Sequence, residues 1–361
     1  MQGEGRHVLG IDLIRFLAAA MVVAFHYDHA FPRTHLPFAS AGWVGVEVFF
    51  VISGYVIANS AESTTAANFA KARLLRLLPG AWICGTITAA VAVSSANAFS
   101  LANQYIRTII FWPTGPFVDT VYWTLPIEVI FYVFVFCTLG RFSLLSLNAL
   151  TRALGILSGA WWLARVAVTL GLRLAIHPEW FAFVPPIVIS LIQFGCYFAL
   201  GALIQECLRD RIDLERAAHM CICLGACLLQ IAYAASRITV GLQPLQSVIV
   251  APIVAWSALV LAIWISVFWN GAASRALGQW SGIFRTIGLS TYPLYLLHAR
   301  FGSWLGHAGH LGPLQTAVLI VGLSVVVAKV LEPAVRRVLR PVLSAASLGS
   351  IAVQPATQEP V

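Results

Sequence analysis

Ten apolar runs, spread along most of the 361 residues, leave this chain one class of fold. They fall roughly at residues 8–28, 43–60, 79–98, 121–139, 154–172, 184–205, 217–236, 245–270, 286–306 and 312–334. Each approaches the ~20 residues that a helix needs to cross a hydrocarbon core. Backbone in lipid must satisfy its own hydrogen bonds, so runs of this length are expected to be helices. Charged residues make up 10% of the chain, far below the quarter usual in soluble domains, and mean hydropathy is +0.85. The expectation is an all-α, polytopic membrane protein with about ten transmembrane helices.

An even number of spans puts both termini on one side. With the N-terminus cytoplasmic, 14 of the 22 Lys and Arg fall in inner segments, five in outer segments and three within spans. That bias predicts cytoplasmic N- and C-termini in an inner or plasma membrane. It also accounts for the basic balance without invoking nucleic acid. The first run is too long and too charged for a signal-peptide core and is expected to stay as a helix. Residues 1–340 read as a single transmembrane domain, and 341–361 as a disordered cytoplasmic tail. The seven cysteines are scattered in apolar runs without zinc-ligand spacing, so no metal is expected.

The first run, VLGIDLIRFLAAAMVVAFHY from Val8 to Tyr27, carries Asp12, Arg15 and His26. Charges in a bilayer cost several kcal/mol unless paired or turned inward, so they mark function by default. Arg15 and His26 are 11 residues apart, about three turns plus ~20°, which puts them on one face ~16 Å apart in depth. Asp12, Arg15, Ala19, Val22 and His26 form one stripe. A helix-end pair of Asp12 and Arg15 snorkelling to headgroups is the plainer alternative. Glu47 and Glu128 each lie about a turn below the outer surface in their own spans, in reach of the layer that His26 occupies. Glu47 also fits as a simple N-terminal carboxylate favoured by the helix dipole. Trp123 suits the outer aromatic belt just above Glu128.

The inner segment from Phe69 to Pro79 places Lys71, Arg73 and Arg76 among apolar residues. It reads as a short amphipathic helix ended by Pro79. Such a patch serves topology or lipid headgroups in most membrane proteins. Arginine forks also match phosphate oxygens, and Arg15 converges on the same inner side. In the ninth span Pro293 is expected to kink the helix. Tyr292, Tyr295 and His298 follow a 3-3 spacing along one of its faces. The tenth span is expected to end at Glu332-Pro333, with Arg336, Arg337 and Arg340 as an inner anchor.

Together these motifs resemble the membrane acyltransferase-3 family, which O-acylates polysaccharides and related glycosides. The residues that carry the resemblance are Asp12-x2-Arg15-x10-His26, the GxxGVEVFFVISGYVI stretch at 42–57, Arg73-x2-Arg76, Trp123-Thr-Leu-x2-Glu128-x2-Phe-Tyr and the Ser290-to-His298 stretch. Glu47 stands where the family more often has aspartate, and Pro126 is unusual in its motif. The resemblance implies an acyl-CoA donor, acetyl-CoA first of all, on the cytoplasmic side. It implies a sugar-containing acceptor at or beyond the outer face. Arg15, Arg73 and Arg76 would then bind the donor. His26 would be the general base, supported by Glu128 or Glu47, with the sequence choosing neither. Asp12, Trp123, Tyr292, Tyr295 and His298 would line the substrates. Membrane lipid is an expected partner, nucleic acid is not, and the oligomeric state stays open, a homo-oligomer included. A proton-coupled transporter or flippase for a glycan precursor is the competing class, in which the buried His and carboxylates form a proton path. It leaves the arginine segment without a task.

Overall fold

The computed structural model describes residues 8–31, 39–61, 64–94, 96–140, 146–171, 186–238 and 245–348. Among these, all regular structure is helical. In chain order the helices are α1 (Leu9–Ala30), α2 (Gly45–Ala61), α3 (Ala66–Ala92), α4 (Ala98–Ile109), α5 (Thr124–Leu139), α6 (Leu147–Thr169) and α7 (Pro186–Arg209). They continue as α8 (Leu214–Ile238), α9 (Leu245–Phe268), α10 (Asn270–Leu277), α11 (Ser281–Leu297), α12 (Arg300–Ala308), α13 (Pro313–Val326) and α14 (Glu332–Leu348). Eight helical segments are long and apolar enough to cross a membrane. Two of the ten expected runs do not meet that measure. α6 carries Arg152 and Arg165 within it, and the 286–306 run is broken in two at His298–Ala299.

α2 and α7 form the centre of the bundle, and backbone contact makes that possible. A Cβ on Gly201 of α7 would lie 1.9 Å from the carbonyl oxygen of Val51, and one on Gly54 of α2 would lie 2.1 Å from that of Phe198. Only glycine lets two helices approach so closely, a common solution where lipid supplies no hydrophobic drive between helices. Phe50, Phe131 and Phe198 fill the space around this contact. The outward faces are apolar. On α9, for example, Val250, Val254, Leu261 and Ile265 are exposed at helical spacing, as a lipid-facing stripe requires.

Two expectations about helix ends are corrected. The arginine segment is no separate helix ended by Pro79. α3 runs through Pro79, which is buried. Proline removes one backbone donor, and tertiary packing here outweighs that loss. Tyr292 and Tyr122 donate their hydroxyls to the carbonyls of Leu77 and Ala81 on either side of the proline. In the ninth span, α11 continues past Pro293 and the interruption comes at His298–Ala299. The last span does not end at Glu332. A π-helical turn over Val327–Leu331 joins α13 to α14, which continues to Leu348. Glu332 is 1% exposed and accepts from Arg336 Nη2 within α14. The tail from residue 341 therefore begins as the last turns of α14, and residues from 349 on lie outside the described ones.

Candidate active site

α1, α2, α3, α5 and α11 enclose a cavity of about 350 Å³. Arg15, Arg73, Arg76, Glu128, Tyr292 and Tyr295 all line it. Its basic end is built by α3, where Arg73 and Arg76 stand one turn apart. Arg73 donates from Nη2 to Ser60 Oγ at 3.1 Å and lies over the rings of Phe69 and Tyr132. Arg76 lies over the ring of Tyr292 at 5.1 Å. The Nη1 of Arg76 and the Nε of Arg73 are buried without a hydrogen-bond partner. A buried donor without an acceptor is costly, so these guanidinium groups are poised for an anion. Arg15 reaches the same cavity from α1 and is paired with Asp12 at 3.8 Å. Asp12 is buried under Gly288 of α11, where a Cβ would collide with its carboxylate, and does not line the cavity.

Glu128 belongs to this basic end and not to the layer of His26. It accepts hydrogen bonds from Ser53 Oγ at 2.9 Å and from the hydroxyl of Tyr132. It is within electrostatic reach of Arg15. α5 is entered through a 3-10 turn, Thr120–Trp123, whose rise of ~2 Å per residue carries Glu128 deeper than an α-helical count implies. Ser53 lies six residues beyond Glu47 on α2, about 9 Å along the axis. Glu47 is 4% exposed, its Oε2 has no hydrogen-bond partner, and its charge is felt at Tyr197, Cys227 and Tyr295. Neither carboxylate is bonded to His26.

The partner of His26 is His298. Its Nε2 lies 3.2 Å from His26 Nδ1, with the rings nearly perpendicular at 74°. His26 Nδ1 also faces Val22 O at 2.9 Å, and His298 Nδ1 faces Tyr295 O at 2.7 Å. Carbonyl oxygens only accept, so each neutral ring carries its proton on Nδ1. The His26 proton is then shared between Val22 O and the lone pair of His298 Nε2. That leaves the Nε2 of His26 with a free lone pair, as a proton acceptor needs. His26 is half-buried and His298 fully buried, and neither lines the cavity. Tyr295 links the two regions. It lines the cavity, its ring is 5.7 Å from that of His298, and its hydroxyl lies 3.3 Å from Thr124 Oγ1. Trp123, expected to line the substrates, instead packs against Phe50 and Phe194 outside the cavity.

Asp119 escaped the sequence reading. It caps the 3-10 turn before α5, is 3% exposed, and lies within electrostatic reach of His26. In sequence it is a lone acid ahead of an apolar run, which usually sits in the headgroup region. Arg165, without a role in the sequence, donates to the hydroxyl of Tyr233 at 2.7 Å. Among the described residues no group of three His, Cys, Asp or Glu is placed to hold a metal ion.

BcsY of Komagataeibacter xylinus, which is named for an inferred membrane-bound transacylase activity, is 31% identical over 154 residues, 35% of this chain and 36% of that protein. The peptidoglycan O-acetyltransferase OatA of Listeria monocytogenes is 32% identical over 85 residues, 22% of this chain and 12% of OatA. An O-acetyl transferase of Shigella phage Sf6 is 32% identical over 143 residues, 34% of this chain and 43% of the phage protein. The matched segments thus span less than half the length of each relative. No solved structure matches. The profile described as an acyltransferase domain covers residues 8–332, so the chain belongs to the membrane acyltransferase-3 family.

Proposed function

We propose that this protein is a multi-pass O-acyltransferase that moves an acetyl group from acetyl-CoA to a hydroxyl of a cell-surface or exported glycan or glycoside. The observation that carries the reading is the cavity with three arginines at its walls and Tyr295 leading to the His298–His26 pair. Arg73 and Arg76 would grip the donor's phosphates, and Arg15 would meet the chain that follows. His26 Nε2 would take the proton of the acceptor hydroxyl as its oxygen attacks the thioester carbonyl. The C–S bond then breaks, and the CoA thiolate leaves with that proton. The acetyl group is suggested by the names of the relatives from Listeria and the Shigella phage, and the glycan acceptor by that of the Listeria protein alone.

The lysine and arginine bias supports a membrane orientation with both termini and the arginine end cytoplasmic, in the inner or plasma membrane. In that orientation His26, at the far end of α1, lies toward the outer side. The donor would enter from within, and the acceptor would be met near the opposite face. The test is purified protein in detergent with acetyl-labelled acetyl-CoA and an oligosaccharide acceptor. Acceptor-dependent release of CoA with label in the sugar supports the reading. Absence of both with wild-type protein that binds CoA overturns it.

A further inference from the structure

His298 sits at the break between α11 and α12, and one short segment holds that break from both sides. Asp119 Oδ2 accepts the backbone N–H of Arg300 at 2.7 Å, and Oδ1 accepts that of Val121 at 3.2 Å. Arg300 Nη1 returns to the carbonyl of Val118 at 2.8 Å. On the other side of His298, the Tyr295 hydroxyl donates to Val121 O at 3.2 Å. Residues 118–121 therefore fix the backbone just before and just after His298.

A cap explains part of this. The N–H of Arg300 opens α12 and has no partner within its helix, so a carboxylate oxygen there is favourable. Asparagine or serine would cap as well. A cap does not explain why the buried group is a carboxyl, within electrostatic reach of the His26 imidazole. Among the described residues no side chain forms an ion pair with Asp119, and burying a charge without one is costly. Burial raises the Asp119 pKa above the usual carboxylate value, while the N–H bonds from Arg300 and Val121 favour its charged form. Among the described residues, the ionisable side chains within reach of His26 are Asp119 from this segment, His298 from the end of α11 and His29 from α1 itself. Asp119 is the one among them that can carry negative charge.

We infer that Asp119 is a positioning residue for the transfer step, pinning the α11–α12 break so that His298 meets His26 and stabilising the imidazolium that His26 becomes. This rests on His26 being the base in the proposed transfer. The acceptor proton goes to His26 Nε2 and Asp119 takes none. It fills the place of the triad acid, acting through space and through the backbone of Arg300.

The experiment compares Asp119→Asn, Arg300→Ala and His26→Ala with wild type in the labelled acetyl-CoA assay. D119N keeps an oxygen for the Arg300 N–H, turns its NH2 toward the Val121 N–H and so loses that bond, and removes the charge. Its kcat is expected to fall roughly tenfold or more, since one pKa unit of lost support is a factor of ten. KM for acetyl-CoA should stay at its wild-type value and thermal stability in detergent should fall only slightly, as one lost hydrogen bond requires, so that a large loss of kcat per folded molecule is not a loss of fold. R300A loses the Val118 bond and a positive charge near Asp119 while its backbone N–H still reaches Asp119, so its loss of kcat should be smaller than that of D119N. D119N with kcat within twofold of wild type, beside an inactive H26A, overturns the inference and leaves the base in place. Full activity in H26A overturns the base instead. If D119N is recovered unfolded, Asp119→Ser, a cap without charge, takes its place. Wild-type kcat per folded molecule in that variant counts equally against the inference.

Discussion

His298 Nε2 lies 3.2 Å from His26 Nδ1, across two helices and 272 positions of sequence. Each ring is also tied through its Nδ1 to a carbonyl of its own helix, Val22 O for His26 and Tyr295 O for His298. The consequence is directional. Both rings are held in the tautomer that leaves His26 Nε2 as the available base, with His298 as the group that fixes it.

Substitution of the two histidines should therefore separate base from orienter. His26→Ala is expected to lose at least 10²–10⁴-fold in turnover, the usual size of a general-base contribution. His298→Phe removes the bond to Tyr295 O and the bond to His26 Nδ1, and loss of the latter, about 1 kcal/mol, is expected to cost roughly five- to tenfold. Both variants should bind CoA as wild type does. Equal turnover losses in the two would mean that the rings act as one unit and that the division of roles is wrong.

The α2–α7 contact predicts a stability effect far from any chemistry. Gly201→Leu drives a side chain into the backbone of Val51, where even a Cβ would sit 1.9 Å from the carbonyl oxygen. Overpacking of this kind typically costs 1–3 kcal/mol, and more where backbone is struck. The expected result is a lower melting temperature in detergent and loss of folded protein. A Cβ on Gly225 would meet nothing within 4 Å, so Gly225→Ala should be neutral or slightly stabilising.

The all-helical membrane class and the polar stripe of α1 were legible because both depend on patterns within one segment. Asp12, Arg15 and His26 do share the bundle-facing stripe that their spacing implies. Partnership across helices was not legible. Nothing local says that His26 meets His298 and not Glu47, or that Glu128 joins Arg15. Those facts depend on the depth at which each helix enters, and the 3-10 turn before α5 changes that depth. Pro79 misled for a related reason. A proline signals a helix end from local geometry, yet α3 packs around Pro79 and continues through it. Asp119 was missed because an acid at a span's edge looks solvated until the α11–α12 break is folded over it.

Glu128 accepts from two hydroxyls, Ser53 and Tyr132, and an amide cannot do so with the same geometry. Glu128→Gln must turn its NH2 toward one of them or lose that bond, at a cost of about 1–3 kcal/mol. Thermal melting should report the loss. The change also removes a negative charge beside Arg15, so affinity for anionic CoA should hold or rise. A tenfold weakening of CoA binding in E128Q would remove Glu128 from the wall of the donor site.

The last prediction concerns the basic end. Arg76 Nη1 and Arg73 Nε are buried without acceptors, while the remaining guanidinium contacts are to a hydroxyl and to aromatic faces. Among the described residues neither arginine has a carboxylate within ion-pair distance, unlike Arg15, which has Asp12, although Glu332 feels the charge of Arg76. Their contacts thus leave room for an anionic ligand. Replacing both with alanine should weaken CoA binding by about 1.5–3 kcal/mol per lost charge-assisted contact, measured by calorimetry in detergent. Binding by wild type should fall as salt is raised, because cavity charges open to solvent are screened. Lysine at both positions should restore affinity only in part, since an ammonium lacks the two-pronged fork. Dephospho-CoA, which lacks one phosphate, should lose less from the double alanine substitution than CoA does if that phosphate is the one held. Unchanged CoA affinity in the double alanine variant would mean that Arg73 and Arg76 serve membrane orientation alone, and the donor would have to enter elsewhere.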